Sequence, residues 1–193
     1  MTKTTPTVSV TPTPASITTA QTLSVMVAVS GGSGNPTPTG TVTLGGGGYT
    51  STATSLASGS ATITVPAASL AVGSDTLTAS YTPDSSSSSI YNSSSGTNSV
   101  TVNLPPSFTL SPSAGNVTVI QGNSGTNTIT VTGANGFTGA VTLAATGLPA
   151  GVTAGFATNP TTASSVLTLT ASNTATVGGA GDGDHHRNLR GTR

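Results

Sequence analysis

The sequence predicts an all-β protein made of tandem β-sandwiches, and three observations support this prediction. About 69 of the 193 residues are Thr or Ser, and Thr shares with Val the β-branched side chain that suits a pleated, half-buried surface. Val, Ile and Leu recur at alternate positions, which is the period of a strand with one buried face. Turn residues separate the alternating segments at short intervals, a pattern typical of sandwiches.

Composition excludes several classes of function. Only 4% of the residues are charged and the formal net charge is zero, so the chain offers no basic surface to nucleic acid or anionic lipid. Its apolar runs are too short to span a membrane, and without Cys it has neither a disulfide framework nor a thiolate metal site. Acid–base catalysis would have almost no groups to use. We therefore expect a non-enzyme without cofactor, metal, nucleic-acid partner or membrane insertion.

We predict one complete sandwich over residues 6–104, after an N-terminal tail of residues 1–5. Its predicted strands are residues 7–10, 23–30, 41–44, 49–56, 60–65, 75–81 and 99–104. Strand alternation assigns the following side chains to its core: Leu23, Val25, Val27, Val29, Val42, Leu44, Ile63, Val65, Leu77, Ala79, Tyr81, Val100 and Val102. About seven strands in roughly 100 residues are the signature of a sandwich.

A second module is predicted over residues 108–180, after a proline-rich linker of residues 105–107. Its predicted strands are residues 108–110, 117–120, 126–132, 140–144, 152–156 and 166–171. At roughly 70 residues this module falls short of the 100 or so of a full sandwich of this kind, so we expect it to lack its last two strands. We then expect partial cover for Leu143, Leu148, Val152, Phe156, Leu167 and Leu169.

Several segments carry a resemblance to a known family. In the first half these are residues 38–44, 70–81 and 99–102, and in the second half residues 136–143 and 147–152. Residues 6–104 resemble the bacterial immunoglobulin-like repeat domains of the group often called Big_3. The second half is similar to another bacterial Ig-like module. The resemblance implies tandem immunoglobulin-like antiparallel β-sandwiches and brings no catalytic residue with it.

Residues 181–193 differ abruptly in composition from the rest. They hold seven of the ten Lys, Arg, Asp and His side chains, among them Asp182, Asp184, His185 and His186. A calcium loop needs about six to eight oxygen ligands, and an adjacent His pair lacks the i, i+4 spacing of helical zinc motifs, so we interpret the segment as a disordered tail. A one-base shift of the reading frame would permit Gly-Thr-Ala-Thr-Ile-Thr-Gly-Thr-Ser, an alternating strand. We therefore hypothesise that this tail is out of frame.

Few side chains before the tail suggest a site. Asp84 follows Pro83 and is predicted to be an Asx-type turn residue rather than a metal ligand. Tyr81, in a strand that begins at Asp75, is predicted to be a buried ring whose hydroxyl finds a partner rather than a ligand contact. Tyr49 and Tyr91 are predicted to pack at strand edges, because a sugar site would recruit more aromatic rings. We assign no catalytic, cofactor or metal residue.

Two further patterns have ordinary interpretations. The glycine run 45–48 is not a phosphate loop, because neither a Lys-Ser/Thr pair nor a helix pattern follows it. Thr-x-Thr runs at residues 41–43, 62–64, 76–78 and 168–170 leave open an ice-binding sheet. Their spacing is uneven, however, so outward Thr on half-buried strands is the simpler interpretation.

The sequence thus favours a structural role. Ig-like modules of this kind occur in strings, so the resemblance implies a spacer or adhesion-stalk segment of a larger bacterial secreted or cell-surface protein, with neighbouring Ig-like modules as partners. The chain has no signal peptide of its own, and we interpret it as a fragment exported by its parent protein. The alternative is a module that binds a surface glycan or protein through its end loops.

Overall fold

The computed structural model describes residues 2–177 and 189–192, which form fifteen β-strands and no helix. The chain divides into two compact units, Met1–Pro105 (unit 1) and Pro106–Arg193 (unit 2). The predicted all-β class is confirmed. Across the described residues, no helix is long and apolar enough to cross a membrane.

Unit 1 contains nine strands. They are β1 (Thr7–Thr13), β2 (Ser16–Thr18), β3 (Leu23–Ser30), β4 (Gly40–Gly46), β5 (Tyr49–Thr50), β6 (Thr54–Ser55), β7 (Ser60–Val65), β8 (Gly73–Pro83) and β9 (Ser94–Asn103). One sheet has the order β1-β3-β7, and the other has the order β2-β9-β8-β4-β5, with β6 also on β4. All pairs are antiparallel except β2–β9, which is parallel.

The core of unit 1 lies between its two sheets. All thirteen side chains predicted from strand alternation are buried, and they contribute to one hydrophobic cluster. The cluster also contains five buried side chains that we did not predict, which are Val8, Val10, Ile17, Leu70 and Tyr91. Val8 and Val10 lie in the predicted strand 7–10 but were left out of the predicted core, whereas Ile17, Leu70 and Tyr91 lie outside the predicted strands.

Some strand bounds in unit 1 differ from the prediction. The predicted strand 49–56 is two short strands, β5 and β6, because both pair with β4 at separate places. Strand β2 was not predicted, since three residues are too few to show a period. Strand β9 begins five residues before the predicted start, and its first half, Ser-Ser-Gly-Thr-Asn, has no apolar alternation. Pairing with β8 along its whole length defines it instead.

Unit 2 contains six strands within the described residues. They are β10 (Ser107–Pro112), β11 (Ser124–Ala134), β12 (Thr142–Ala145), β13 (Val152–Phe156), β14 (Ser164–Ala171) and β15 (Leu189–Thr192). Four of them form an antiparallel sheet of order β10-β11-β14-β13, while β12 pairs only with β15. The buried core is smaller and consists of Ile129, Val131, Val141, Leu143, Leu167 and Leu169.

The structure corrects two expectations about unit 2. Residues 117–120 are not a strand; Val117 and Val119 pack against the core from a loop, whereas Ile120 is exposed. Of the six side chains expected to be partly covered, Leu148, Val152 and Phe156 are so, but three are buried: Leu143, Leu167 and Leu169.

The expectation that residues 181–193 form a disordered tail is also corrected in part. Its last strand, β15, is paired with β12 rather than disordered. Residues 181–188 and 193, with Asp182, Asp184 and both His, lie outside the described residues.

Candidate functional site: the polar corner of unit 1

The densest group of polar contacts in unit 1 lies where β4 begins and β8 ends. Gly40 and Pro83 are directly opposite each other in the β4–β8 register, which brings Thr39 next to Asp84. A Cβ at position 40 would collide with the Thr82 carbonyl oxygen and lie 2.8 Å from the Asp84 nitrogen. The backbone φ of Gly40, +133°, also favours glycine. We call the group Thr39, Tyr81, Asp84 and Ser87 the polar corner.

Asp84 organises the turn that follows β8. Its Oδ1 accepts hydrogen bonds from the Thr39 hydroxyl at 2.8 Å and from the backbone N–H groups of Ser86 and Ser87, each at 3.0 Å. This is the Asx-type turn that the sequence predicted. The Thr39 hydroxyl, followed by the backbone N–H of Ser87, lowers the pKa of Asp84 because these bonds favour the carboxylate.

Ser87 and Tyr81 are the buried members of the polar corner. Ser87 is buried, and its Oγ accepts a bond from the Thr39 N–H at 2.9 Å and lies 2.9 Å from the Thr39 hydroxyl. The Tyr81 ring is buried and its hydroxyl donates to the Thr39 carbonyl at 2.7 Å, as predicted. Burial raises the pKa of Tyr81 because it disfavours the phenolate.

Tyr91 anchors the neighbouring loop. The ring is buried and its hydroxyl donates to the Pro36 carbonyl. Tyr91 therefore belongs to the core, and the prediction that it packs at a strand edge is wrong. A side chain at Gly31 would collide with this hydroxyl, which explains the glycine there. Tyr49, the other ring considered for sugar stacking, is half-buried and its hydroxyl points to the Thr64 carbonyl at 3.5 Å.

The chemistry of the polar corner is that of a structural tie. A serine nucleophile needs an adjacent base, and the Ser87 hydroxyl instead accepts from the Thr39 N–H and hydrogen-bonds the hydroxyls of Thr39 and Tyr81. Within residues 2–177 and 189–192, no three His, Cys, Asp or Glu side chains come together as metal ligands. The hydroxyls and the carboxylate of the corner are used to hold two loops to each other.

Asp75 lies in a different place, against the glycine run. A side chain at Gly47 would meet the Asp75 carboxylate at 2.5 Å, and Asp75 Oδ2 is buried without a hydrogen-bond partner. The run therefore serves to admit this carboxylate and to turn the chain between β4 and β5, with Gly46 and Gly47 at positive φ. In unit 2, Phe108 and Phe137 form a ring pair with centroids 5.1 Å apart, and Phe156 packs beside the same core.

Sequence reasoning found Asp84 and Tyr81 but missed Thr39 and Ser87. With about 69 Ser and Thr residues, no pattern distinguishes the two hydroxyls that reach a carboxylate. The only available signal is the pairing of Thr-Gly before one strand with Pro-Asp after another, and it requires the strand register to be known.

Comparison with protein families agrees with the two-sheet fold of unit 1. Residues 8–103 match the family model of the bacterial Ig-like domain (group 3). The resemblance predicted for residues 6–104 is thereby confirmed over that span, and with it the Ig-like sandwich of unit 1. Bacterial Ig-like domains are in general non-catalytic structural or adhesion-type modules. No curated protein matches the chain significantly.

Three solved structures match most of the chain at low similarity. A Salmonella alpha-2-macroglobulin reacted with methylamine is 14% identical, over 97% of this chain and 16% of its own, with a TM-score of 0.47. The native E. coli alpha-2-macroglobulin is 12% identical, over 97% and 16%, with a TM-score of 0.44. A Ca²⁺-stabilized adhesin of an Antarctic bacterium that binds ice is 21% identical, over 98% and 47%, with a TM-score of 0.45. The chain thus spans under half of each, and these scores do not establish a shared fold.

Proposed function

We propose that the chain is a non-catalytic spacer or adhesion-stalk segment of a larger bacterial protein that is secreted or displayed at the cell surface. Neighbouring Ig-like modules of that parent protein are its partners. The match of residues 8–103 to the bacterial Ig-like domain supports this proposal, as does a polar corner whose groups bond to one another rather than outward.

The observation that carries the proposal is the parallel pairing of the first and last strands of the second sheet. β2 pairs with β9 at Ser16–Thr101, Ile17–Val102 and Thr18–Asn103. The Thr101 N–H donates to the Ala15 carbonyl at 3.0 Å and the Thr19 N–H donates to the Asn103 carbonyl at 2.9 Å, one at each end of the pair. Because the strands are parallel, tension at the two ends of unit 1 loads these bonds together, which suits a segment that transmits force.

The proposal extends to unit 2 as a second Ig-like module that lacks its last strands. Residues 39–44 read Thr-Gly-Thr-Val-Thr-Leu and residues 138–143 read Thr-Gly-Ala-Val-Thr-Leu. Val42 and Leu44 of the first copy and Val141 and Leu143 of the second are all buried core residues. One sheet of unit 2 also contains three neighbouring strands, β10, β11 and β14, in the order that β1, β3 and β7 have in unit 1. This correspondence supports a tandem relation between the two units.

Force spectroscopy on the full chain, held at its two ends, tests the mechanical role. We expect unit 1 to unfold in one event that releases about 30 nm of chain. Thr19→Pro removes the N–H that donates to Asn103 and should lower the unfolding force, whereas Thr19→Val keeps that donor and should leave the force near the original value.

An unfolding force that does not change in Thr19→Pro would contradict the role of the β2–β9 pair. A glycan-array signal that is lost on substitution of the loops between strands would favour the alternative, a binding module. An in-frame upstream sequence with an export signal in the parent gene would support the proposed location.

A further inference from the structure

β4 and β12 are equivalent strands with different neighbours. In unit 1 the Thr-Gly-x-Val-Thr-Leu segment pairs along its length with the eleven-residue β8, so that Val42 lies opposite Tyr81 and Leu44 opposite Ala79. In unit 2 the same segment pairs with the four-residue β15, and Leu143 lies opposite Gly191. The unit 2 strand thus has a partner less than half as long as that of its counterpart.

The glycine of the repeated segment shows the same difference. In unit 1, the backbone of β8 fills the space beside Gly40, where a Cβ would lie 2.9 Å from the Pro83 Cα. In unit 2, the atoms nearest to a Cβ on Gly139 would belong to the Phe137 ring, the first of them at 3.1 Å. Unit 2 therefore keeps the glycine that β8 requires, although no β8-like backbone occupies that place among the described residues.

Among the described residues, the two edges of β12 have different kinds of partner. The Leu143 N–H donates to Asn159 Oδ1 and the Leu143 carbonyl accepts from Asn159 Nδ2, each at 2.8 Å. The Val141 N–H and carbonyl are bonded to Thr161 on the same side. Because alternate residues of a strand present their backbone groups to opposite sides, Thr142 and Ala144 present theirs to the other edge, where β15 lies.

We propose that this edge of β12 is an acceptor site for an extended strand, supplied by another polypeptide, with the inward pattern Leu-x-Ala-x-Tyr of β8. The continuity of this site with the β12–β15 pairing argues for it, because the edge already binds a short strand in the same antiparallel sense. By the register of unit 1, the incoming Tyr lies opposite Val141 and the incoming Ala opposite Leu143. β15 holds the place that the longer strand takes.

The chemistry of recognition follows from the two elements involved. Main-chain hydrogen bonds to Thr142 and Ala144 provide the affinity, and alternate apolar side chains of the incoming strand provide specificity. Its apolar side chains add to the cover of Phe137, whose ring lies beside Gly139 and is half-buried against the core. Residues 106–177 carry no charged side chain, so they offer the incoming strand no ion pair. The inference rests on the fold of unit 2 and not on the spacer function.

The test uses the full chain and a labelled synthetic peptide with the sequence of residues 73–83. Fluorescence anisotropy should show saturable one-to-one binding at low and high salt. A peptide that is N-methylated at alternate backbone nitrogens on its pairing edge cannot donate to β12 and should bind at least ten-fold more weakly. A chain shortened to end at residue 188 lacks β15 and should bind the original peptide several-fold more tightly.

Substitutions on β12 provide the matched pair. Ala144→Pro removes the N–H of the acceptor edge, whereas Ala144→Thr keeps it at the same exposed position. Only Ala144→Pro should abolish binding. Equal binding of the methylated and unmethylated peptides, no binding at all, or no gain from removing β15 would each overturn the proposal, whether or not Ala144→Pro folds. A failure of the force experiment would leave these results unaffected.

Discussion

Units 1 and 2 share the segment Thr-Gly-x-Val-Thr-Leu and three strands in corresponding order in one sheet, to which unit 2 adds β13, but their second sheets differ. In unit 1 that sheet contains six strands, and its core cluster includes eighteen buried residues. In the described residues of unit 2 it contains β12 and β15, and the cluster includes six buried residues with nine partly buried ones around it. The strands β4 and β12 thus have nearly identical sequences, and each buries its own Val and Leu side chains. The strands paired beside them determine how much of the rest of each core is buried.

This difference has an energetic consequence. Full burial of a Val, Leu or Phe side chain stabilises a fold by about 1.5–3 kcal/mol relative to exposure. Unit 2 gains only part of that contribution from Phe108, Phe137, Leu148 and Phe156, which stay half-buried. Unit 1 gains nearly all of it from Leu77 and Tyr81 of β8. We therefore expect unit 1 to be the more stable of the two.

The largest expected effect comes from a charge in the core of unit 1. Val27 is fully buried in β3, and Val27→Asp should cost at least about 4 kcal/mol because the carboxylate has no partner there. The unfolding transition of unit 1 should disappear while that of unit 2 remains. Met26 is the matched control: it is the next residue of the strand and is 49% exposed, so Met26→Asp should leave both transitions in place. Calorimetry and amide NMR spectra distinguish these outcomes.

The second prediction compares the two units directly. Because its core is less closed, unit 2 should unfold first on heating, and a protease that does not require basic residues should cut after about residue 105 before it cuts within residues 6–104. Mass spectrometry of the fragments with time gives the order of cleavage. Equal resistance of both units, or a single transition for the whole chain, would remove the stability difference on which the comparison depends.

The sequence predicted the fold of unit 1 well because its signal is repeated. Alternation in β3 and β7 reproduces the observed bounds, since one face of each strand is apolar throughout. It failed at β2, which has three residues, and at residues 117–120, where Val, Thr, Val and Ile alternate but have no strand to pair with. Alternation reports which side chains are buried, and Val117 and Val119 do contact the core; it does not report backbone pairing.

The candidate site was predictable only in part, for a similar reason. Asp84 follows a proline at a turn, and Tyr81 ends an alternating strand, so each carries a local signal. Thr39 is 45 residues from Asp84 in sequence, and the contact depends on the register of β4 against β8. The relation between Gly40 and Gly139 likewise appears only when their surroundings are compared, because the two sequences around them are almost the same.

The third prediction uses those two glycines. Gly40→Ala should destabilise unit 1 by about 3 kcal/mol, because its φ of +133° strains any L residue and the new Cβ collides with the Thr82 carbonyl. Gly139→Ala should cost unit 2 less than about 1 kcal/mol, because φ there lies outside that region and only a tilt of the Phe137 ring is needed. Urea unfolding of each variant measures both values. Similar losses would show that a β8-like backbone already crowds Gly139.

The smallest effect concerns pH, and it again separates the units. The pKa of Asp84 is lowered in the folded state, first by the Thr39 hydroxyl and then by the Ser87 N–H, so the ionised form is the one that folding stabilises. This contribution is complete above the unfolded-state pKa of about 3.9 and is lost as the pH falls through the lower folded-state value. Residues 106–177, which include the whole buried core of unit 2, contain no titratable side chain, so that core provides an internal control.

Unit 1 should therefore become easier to unfold in urea as the pH falls below about 4, while the urea midpoint of unit 2 should change little. Asp84→Asn keeps an oxygen that can accept from the Ser86 and Ser87 N–H groups but carries no charge. Its unit 1 should be slightly less stable than the original at pH 7 and should lose most of the acid dependence. If the variant keeps the full acid dependence, Asp84 is not the group responsible, and the polar corner owes its stability to the buried Ser87 and Tyr81 bonds to Thr39.

Thr39→Val, which removes the hydroxyl that Asp84 accepts from, should raise the pKa of Asp84 toward its ordinary value and shift the acid transition upward in the same measurement.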